Sequence, residues 1–278
     1  MRQATIEKPA SVSGLGVHTG NITTVTFKPA AVNTGVRFRR VDIPDAPEIP
    51  ARAANAVDTQ RSTTIGNATS YIRTVEHLLA SVQCLGLSNV LIEVNGPETP
   101  LADGSSRPYI EALVSAGRVE QEAEAPELKI DAPIAVEFEN TTICAIPADE
   151  YRISYLMSYT NPILGTQFKS MTIDRDSFVN ELGPARTFCL YREVEQLMEA
   201  GLIKGGSLDN AIVVTDQAVL CKEGLRFPDE FVRHKIIDLI GDLSLVGRRL
   251  KAHIVSLKSG HPTNVKLARA ICDAYGAA

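Results

Sequence analysis

The sequence predicts an α+β fold that is built from two similar halves. Short segments rich in β-branched residues alternate with stretches in which apolar residues recur at helical spacing. In addition, residues 75–77 (Val-Glu-His) and 232–234 (Val-Arg-His) each open an apolar helix that is followed by a glycine and then a strand. Because helix–glycine–strand patterns are common, chance recurrence is the alternative. We favour two halves that face each other, each contributing one histidine to the seam between them.

The elements of the first half follow from local patterns. Residues 23–27 and 89–94 are predicted strands, since they are rich in β-branched residues and bounded by glycine, asparagine or proline. Between them, Thr74 is placed to cap a helix over residues 74–85. A second helix is predicted over residues 107–116 and ends at Gly117. The first helix should bury one stripe of apolar side chains, namely Val75, Leu78, Leu79, Val82 and Leu85.

An acidic, proline-containing segment at residues 117–133 indicates a solvated boundary between domains. We therefore predict a first domain at residues 1–122 and a second at residues 127–278. Strands are expected in the second domain at residues 135–138, 141–146, 151–159, 211–214 and 252–257. Helices are expected from about Glu230 and over residues 265–275.

Composition excludes several classes of protein. Among 278 residues, 28 Lys and Arg against 33 Asp and Glu give a net charge of −5, which argues against a general nucleic-acid binder. A local basic pocket for a phosphorylated small molecule remains compatible with this charge. No run approaches about 18 apolar residues, so no membrane-spanning helix is expected, and the N-terminus lacks the apolar core of a secretory signal. The five scattered cysteines form no C-x-x-C motif, so reduced thiols are expected.

Histidines and carboxylates at helical spacing point to a metal site. His234, Asp238 and Asp242 are spaced i, i+4, i+8, which places them on one face of a helix whose opposite face is apolar. Taken alone, this face could simply be solvated. Two histidines and one aspartate, His77, His234 and Asp238, form a suitable ligand set for Zn²⁺.

Further groups supply the acid–base chemistry that such a site would need. Glu76 adjoins a candidate ligand and could act as general base, while His261 could act as general acid oriented by Asp242. Together with the metal site, they indicate metal-assisted hydrolysis of an amide or ester. His18, in the glycine-flanked segment 14–20, either lines a site or braces a turn.

Several short sequence motifs resemble those of one known family. They are residues 14–20 (GLGVHTG), 74–78 (TVEHL), 92–98 (IEVNGPE), 103–105 (DGS), 185–188 (ARTF), 204–207 (KGGS), 234–242 (HKIIDLIGD) and 258–261 (KSGH). In this order they closely resemble the UDP-3-O-acyl-N-acetylglucosamine deacetylase family, the zinc amidases of lipid A biosynthesis. The resemblance covers about residues 3–275. It implies two domains, each a β-sheet layered on two helices, with the helices of both domains packed together in the middle.

The resemblance also implies residue roles. His77, His234 and Asp238 would be the zinc ligands, Glu76 the base and His261 the acid that Asp242 orients. Thr187 would help to hold the carbonyl oxygen, and Phe188 would pack near the glucosamine ring. Lys235 and Lys258 would meet phosphate or charge near the site.

An insert at about residues 189–210 would form the hydrophobic passage for the acyl chain of the substrate. Leu197 and Leu202 are among its apolar residues, although they could equally pack the insert's helix against the core. Residues 60–66 lack the cysteine that some family members carry near the mouth of the active site. We expect this difference to alter inhibition by metal or inhibitor contacts rather than the chemistry.

The resemblance further implies a monomeric, cytoplasmic, bacterial protein whose partner is a UDP-sugar carrying an acyl chain. The residues taken alone leave two other functions open. A 2-His-1-carboxylate iron oxygenase would use the same ligand types, and Fe²⁺ could also occupy a hydrolase site. A non-catalytic nucleotide-sugar or metal-sensing protein could retain the fold. Glu76 and His261 together favour hydrolysis, because neither alternative needs an acid–base pair.

Overall fold

The computed structural model of the protein describes residues 1–276, and its fold is α+β, as predicted. The first half contains two helices, α1 (Glu76–Cys84) and α2 (Arg107–Ser115). Its strands are β1 (Arg2–Ile6), β2 (Ala10–Leu15), β3 (Ile22–Pro29), β4 (Val36–Arg40), β5 (Ile49–Pro50), β6 (Ala56–Asp58), β7 (Thr64–Gly66), β8 (Tyr71–Ile72) and β9 (Val90–Val94).

The second half contains a short helix α3 (Arg175–Ser177), which continues into a π-helical turn, and the helices α4 (Tyr191–Glu199), α5 (Glu230–Ser244) and α6 (His261–Tyr275). The remaining strands are β10 (Arg118–Glu124), β11 (Glu127–Lys129), β12 (Ile134–Phe138), β13 (Thr141–Ile146), β14 (Tyr151–Ser158), β15 (Thr166–Thr172), β16 (Phe188–Leu190), β17 (Ile212–Val214), β18 (Val219–Leu220) and β19 (Arg249–Leu257).

The main sheets of the two halves have the same topology. The first has the strand order β2-β3-β9-β4-β5, and the second has the order β12-β13-β19-β14-β15, with β11 beside β19. In each sheet the central strand follows the long central helix, runs antiparallel to one neighbour and runs parallel to the other. The recurrence in the sequence therefore reflects a repeated arrangement of strands and helices.

Helices fill the space between the two sheets. α1 and α2 contact each other in the first half, as do α5 and α6 in the second, and α1 packs directly on α5 across the middle. The predicted stripe on α1 is buried, but Glu76, His77 and Ser81 on its other side are buried too. A helix that lies between its own sheet and another helix has no solvated face, and this explains why polar residues of α1 are enclosed.

The structure departs from three local predictions. Thr74 has a left-handed backbone conformation, with φ of 59°, and does not cap α1; its hydroxyl donates instead to Glu98 Oε1 at 2.9 Å. α6 begins at His261 rather than near residue 265, since Pro262 is favourable in the first helical turn. The acidic boundary segment forms β10, which pairs with β1, and β11, which pairs with β19. The domain limits at residues 122 and 127 stay a prediction, and residues 277–278 of the second lie outside the described part.

Two further expectations concern the whole chain. All five cysteines are free and partly buried. Within residues 1–276, no helix is both long and apolar enough to cross a membrane.

Candidate active site

The three candidate metal ligands meet where α1 crosses α5. His77 lies in the first turn of α1, while His234 and Asp238 lie one turn apart on α5, and all three are buried. Asp238 Oδ1 lies 3.4 Å from His77 Nε2 and 3.3 Å from His234 Nε2, and one ligand atom from each residue lies within 4.8 Å of the others. Two donors bound tetrahedrally to Zn²⁺ lie about 3.3 Å apart, so the spacing fits such an ion.

The surroundings of these ligands also suit a cation. Burial lowers the pKa of His234 to about 4 despite the nearby Asp238 charge, so its imidazole is neutral at pH 7. His234 Nδ1 lies 3.3 Å from the carbonyl oxygen of Ala185; as the donor of this contact, it leaves the lone pair of Nε2 free for a metal. Although burial opposes ionisation of Asp238, the charge of Lys235 keeps its pKa well below the usual range. Lys235 Nζ donates to Asp238 Oδ2 at 2.7 Å.

Glu76 lies at the start of α1, beside His77. Its Oε2 accepts a hydrogen bond from the backbone N–H of Thr63 at 3.0 Å. Burial raises the pKa of Glu76, although His261 and His77 act in the opposite direction. The carboxylate is therefore a stronger base than an exposed glutamate.

His261 faces Glu76 from the N-terminus of α6. Its Nε2 lies 3.9 Å from Glu76 Oε1, and its Nδ1 lies 2.8 Å from Asp242 Oδ2. Asp242 is fully buried and also accepts from Asn264 Nδ2 at 2.9 Å. Burial opposes the charge on His261, but the Asp242 carboxylate outweighs it and raises the pKa of His261 to about 9.

A glycine allows the two central helices to approach closely enough to build this site. A Cβ atom on Gly241 would lie 2.1 Å from the carbonyl oxygen of Glu76. Only a residue without a side chain fits there. Because glycine inside a helix costs about 1 kcal/mol relative to alanine, a glycine in a helical pattern is a sequence signal for a packing or functional requirement.

Thr187 and Phe188 reach the site from the start of β16. The backbone N–H of Thr187 donates to the carbonyl oxygen of Gly104 at 2.8 Å, which ties this segment to the first half. The neighbouring Arg186 forms a buried ion pair with Glu230, with Nε and Oε1 2.9 Å apart. The aromatic ring of Phe188 packs edge-on against His234, with 6.2 Å between ring centroids.

A cavity of about 640 Å³ opens above these residues, between the two halves. Its polar end contains the three candidate ligands, Glu76, His261, Lys235, Thr187 and His18. Its apolar end is lined by α4 and the following turn, through Val194, Leu197, Met198, Ile203 and Leu208.

His18 is enclosed at the edge of this cavity. It is 5% exposed, and its backbone N–H donates to Glu98 Oε1 at 2.9 Å. Burial lowers the pKa of His18, although the Glu98 charge opposes the shift. Glu98 also accepts from Thr19 Oγ1 and Thr74 Oγ1, so this buried carboxylate organises the turn that carries His18.

The structure does not bring every predicted site residue to the cavity. Lys258 is exposed after β19, and Leu202 is buried beside α4; neither lines the cavity. Ile203, next to Leu202, does line it. The substrate contacts of Lys258 and Leu202 stay predictions.

Sequence comparisons now identify the family. The profile of UDP-3-O-acyl N-acetylglycosamine deacetylase (LpxC) matches residues 3–273. The chain belongs to this family. It is 42% identical over 265 residues to UDP-3-O-acyl-N-acetylglucosamine deacetylase of Citrifermentans bemidjiense, covering 95% of this chain and 87% of the relative. It is 44% identical over 273 residues to the deacetylase of the same name from Chlamydia trachomatis serovar L2, strain ATCC VR-902B, covering 98% and 95%.

Sequence reasoning missed several residues that support this deacetylase-family site. Thr63 and Glu98 carry no periodic signal, because their role depends on contacts with distant segments. Arg61 lines the cavity, forms an ion pair with Glu193 on α4 and occupies the segment that lacks the cysteine. Gly241 had a signal in the sequence, as a glycine within an otherwise regular helix, and Glu98 belonged to the motif at residues 92–98 but was given no role there.

Proposed function

We propose that this protein uses a bound Zn²⁺ ion to hydrolyse the acetamide of UDP-3-O-(3-hydroxyacyl)-N-acetylglucosamine, releasing acetate and the free amine in lipid A biosynthesis. One observation carries the proposal. Glu76 and His261 face each other at 3.9 Å in the same cavity as a buried His-His-Asp cluster. A metal amidase needs these components together, namely metal ligands, a base for water and an acid for the leaving amine.

His77, His234 and Asp238 would hold the metal. When bound, Zn²⁺ supplies Lewis acidity and lowers the pKa of a coordinated water. Fe²⁺ accepts the same nitrogen and oxygen donors, so it is the alternative occupant. Lys235 neutralises one oxygen of Asp238, so the cluster carries less negative charge than its aspartate alone would give.

The protein's own residues move the protons. Glu76 accepts a proton from the attacking water as the new C–O bond forms at the acetamide carbon. Thr187 donates a hydrogen bond to the carbonyl oxygen as negative charge develops there. His261 then donates the proton on Nε2 to the glucosamine nitrogen, the C–N bond breaks, and acetate leaves. Its pKa of about 9 keeps His261 protonated at neutral pH, as a general acid requires.

The shape of the cavity supports a substrate with one charged end and one acyl chain. Phe188 lies beside His234, where a sugar ring would pack, and His18 and Lys235, which line the cavity, are assigned to the polar part of the substrate. Lys258 lies outside the cavity lining and is assigned to the same part from the family resemblance alone. Leu197, which lines the cavity, is assigned to the acyl chain, and Leu202, which does not, is assigned to it from the family resemblance alone. We further propose a monomer in the bacterial cytoplasm, on the basis of the family resemblance.

The test is acetate release from the UDP-linked substrate by purified protein, measured before chelation, after chelation and after substoichiometric zinc is added back. We expect activity to disappear with chelation and return with zinc. Glu76→Ala should retain zinc and lose on the order of 10²–10⁴-fold in kcat. Glu111→Ala, which alters an exposed glutamate of α2, is the control and should behave as wild type. Substrate binding without acetate release by the zinc-loaded protein would refute the proposal and indicate a binding protein.

A further inference from the structure

A buried threonine connects the proposed base to the proposed acid. Thr63 lies directly before β7, is fully buried, and does not line the cavity. Its backbone N–H donates to Glu76 Oε2 at 3.0 Å, and its carbonyl oxygen accepts from the backbone N–H of Val75 at 3.2 Å. Its hydroxyl contacts Asp242 Oδ1 and lies 3.2 Å from His261 Nδ1. All its polar atoms are therefore engaged at the seam between the halves.

The direction of these hydrogen bonds follows from the chemistry of the groups. An ionised carboxylate can only accept, so the single hydroxyl proton of Thr63 points to Asp242. The other oxygen of Asp242 accepts from His261 Nδ1 at 2.8 Å and from Asn264 Nδ2 at 2.9 Å. This arrangement places a proton on Nδ1 of His261 and leaves Nε2 as the atom that faces Glu76.

We propose that Thr63 is a positioning residue for the deacetylation. Its hydroxyl holds Asp242, which orients the His261 acid, while its backbone holds the Glu76 base. One residue of the first half thereby sets the relative placement of acid and base across the seam. The inference rests on the proposed function, because it assigns Thr63 a part in that reaction.

The test compares two substitutions at Thr63. Thr63→Val preserves the branched shape and both backbone hydrogen bonds but removes the hydroxyl, whereas Thr63→Ser keeps the hydroxyl. We expect Thr63→Val to lower kcat by about 10- to 100-fold, the loss typical of removing a hydrogen bond to a charged group, with KM within about twofold. Thr63→Ser should recover most of the lost kcat.

The adjacent Thr64 provides a matched control. It is 3% exposed, and its hydroxyl has no hydrogen-bond partner among the described residues. Thr64→Val should therefore leave kcat unchanged. Equal losses of kcat in Thr64→Val and Thr63→Val would overturn the inference, because the loss would then reflect packing. A wild-type kcat in Thr63→Val would also overturn it, because the hydroxyl would then have no effect on the reaction.

Nitrogen-15 spectra of the histidines give a readout that is independent of turnover. The zinc-loaded wild type should show a proton on His261 Nδ1, in a resonance that shifts in Thr63→Val and is restored in Thr63→Ser. Absence of that proton in the wild type would overturn the inference even if Thr63→Val fails to fold. A wild type that releases no acetate yet shows this signal would instead contradict the proposed function.

Discussion

The close approach of α1 and α5 at Gly241 predicts a large effect from adding one methyl group. In Gly241→Ala, the new Cβ would lie 2.1 Å from the carbonyl oxygen of Glu76 and 2.7 Å from its carbonyl carbon. Ordinary contacts begin at 3.4 Å, so the helices would have to separate locally by about 1.3 Å. The obstacle is backbone, and no side-chain rotation can relieve it.

Two opposing energies decide the stability of this variant. Overpacking costs about 1–3 kcal/mol, and a contact with rigid backbone belongs at the upper end of that range. Replacing glycine by alanine inside a helix returns about 1 kcal/mol. We therefore expect a net loss of about 2 kcal/mol in the free energy of unfolding, measured by urea titration.

The activity should fall further than the stability suggests. Glu76 and His77 belong to α1, while His234, Asp238 and Asp242 belong to α5, so separating the helices changes every distance between the two sets. A displacement of about 1 Å at a reacting group can cost about 10²-fold in rate. We expect a loss of that order in acetate release, together with weaker zinc retention on dialysis.

The control for this variant is Gly224→Ala. Gly224 is exposed, and a Cβ atom there would meet no other atom within 4 Å. It should match wild type in activity and in unfolding midpoint. Wild-type activity and stability in Gly241→Ala would refute the argument that close backbone contact sets the geometry of the site.

Three further predictions test other parts of the structure. Burial alone would raise the pKa of Glu230, but hydrogen bonds from Arg186 lower it below the usual value of about 4.5. The ionised Glu230 therefore stabilises the fold above that pH, and this stabilisation is lost as the pH falls through the pKa that Glu230 has in the folded state. Glu230→Gln should lower the free energy of unfolding by about 3 kcal/mol at pH 7, measured by urea titration. The difference in this free energy between variant and wild type should narrow below about pH 4.5, and a difference that does not change with pH would contradict this reasoning. Gly104→Ala, at φ of +85°, should displace Thr187 and lower kcat at least about tenfold, whereas unchanged kcat would show that this loop does not position Thr187. Leu197→Trp should raise KM about tenfold for the long-chain substrate but not for an analogue without the acyl chain, and equal changes would argue against an acyl site along α4.

Much of the fold could be predicted from local patterns. The strands at residues 22–29 and 90–94 and the long helix from Glu230 lie where alternation and helical spacing indicated. The prediction for Thr74 failed because a distant partner decides the local structure. Thr74 has the residue type of a helix cap, but a hydrogen bond to buried Glu98 holds it in a left-handed conformation instead.

The residues of the candidate site were also predictable only where a local pattern placed them. Spacing alone placed His234, Asp238 and Asp242 on one helix face, and the recurrence in the sequence placed His77 opposite. Helical spacing cannot show whether such a face meets water or another helix. Thr63, thirteen residues before Glu76 and far from Asp242 along the chain, is brought to both only by packing.

The sequence by itself determined the family, the α+β class, the repeated halves and the residue types that could bind a metal or move a proton. Periodicity and motif order are visible along the sequence, so both can be recognised without knowledge of the fold. Only the tertiary structure decided that these polar groups are buried, 3–4 Å from one another, with the pKa of Glu76 and of His261 raised. Desolvation and charge interactions depend on every group nearby in space, and segments far apart in the chain supply those groups.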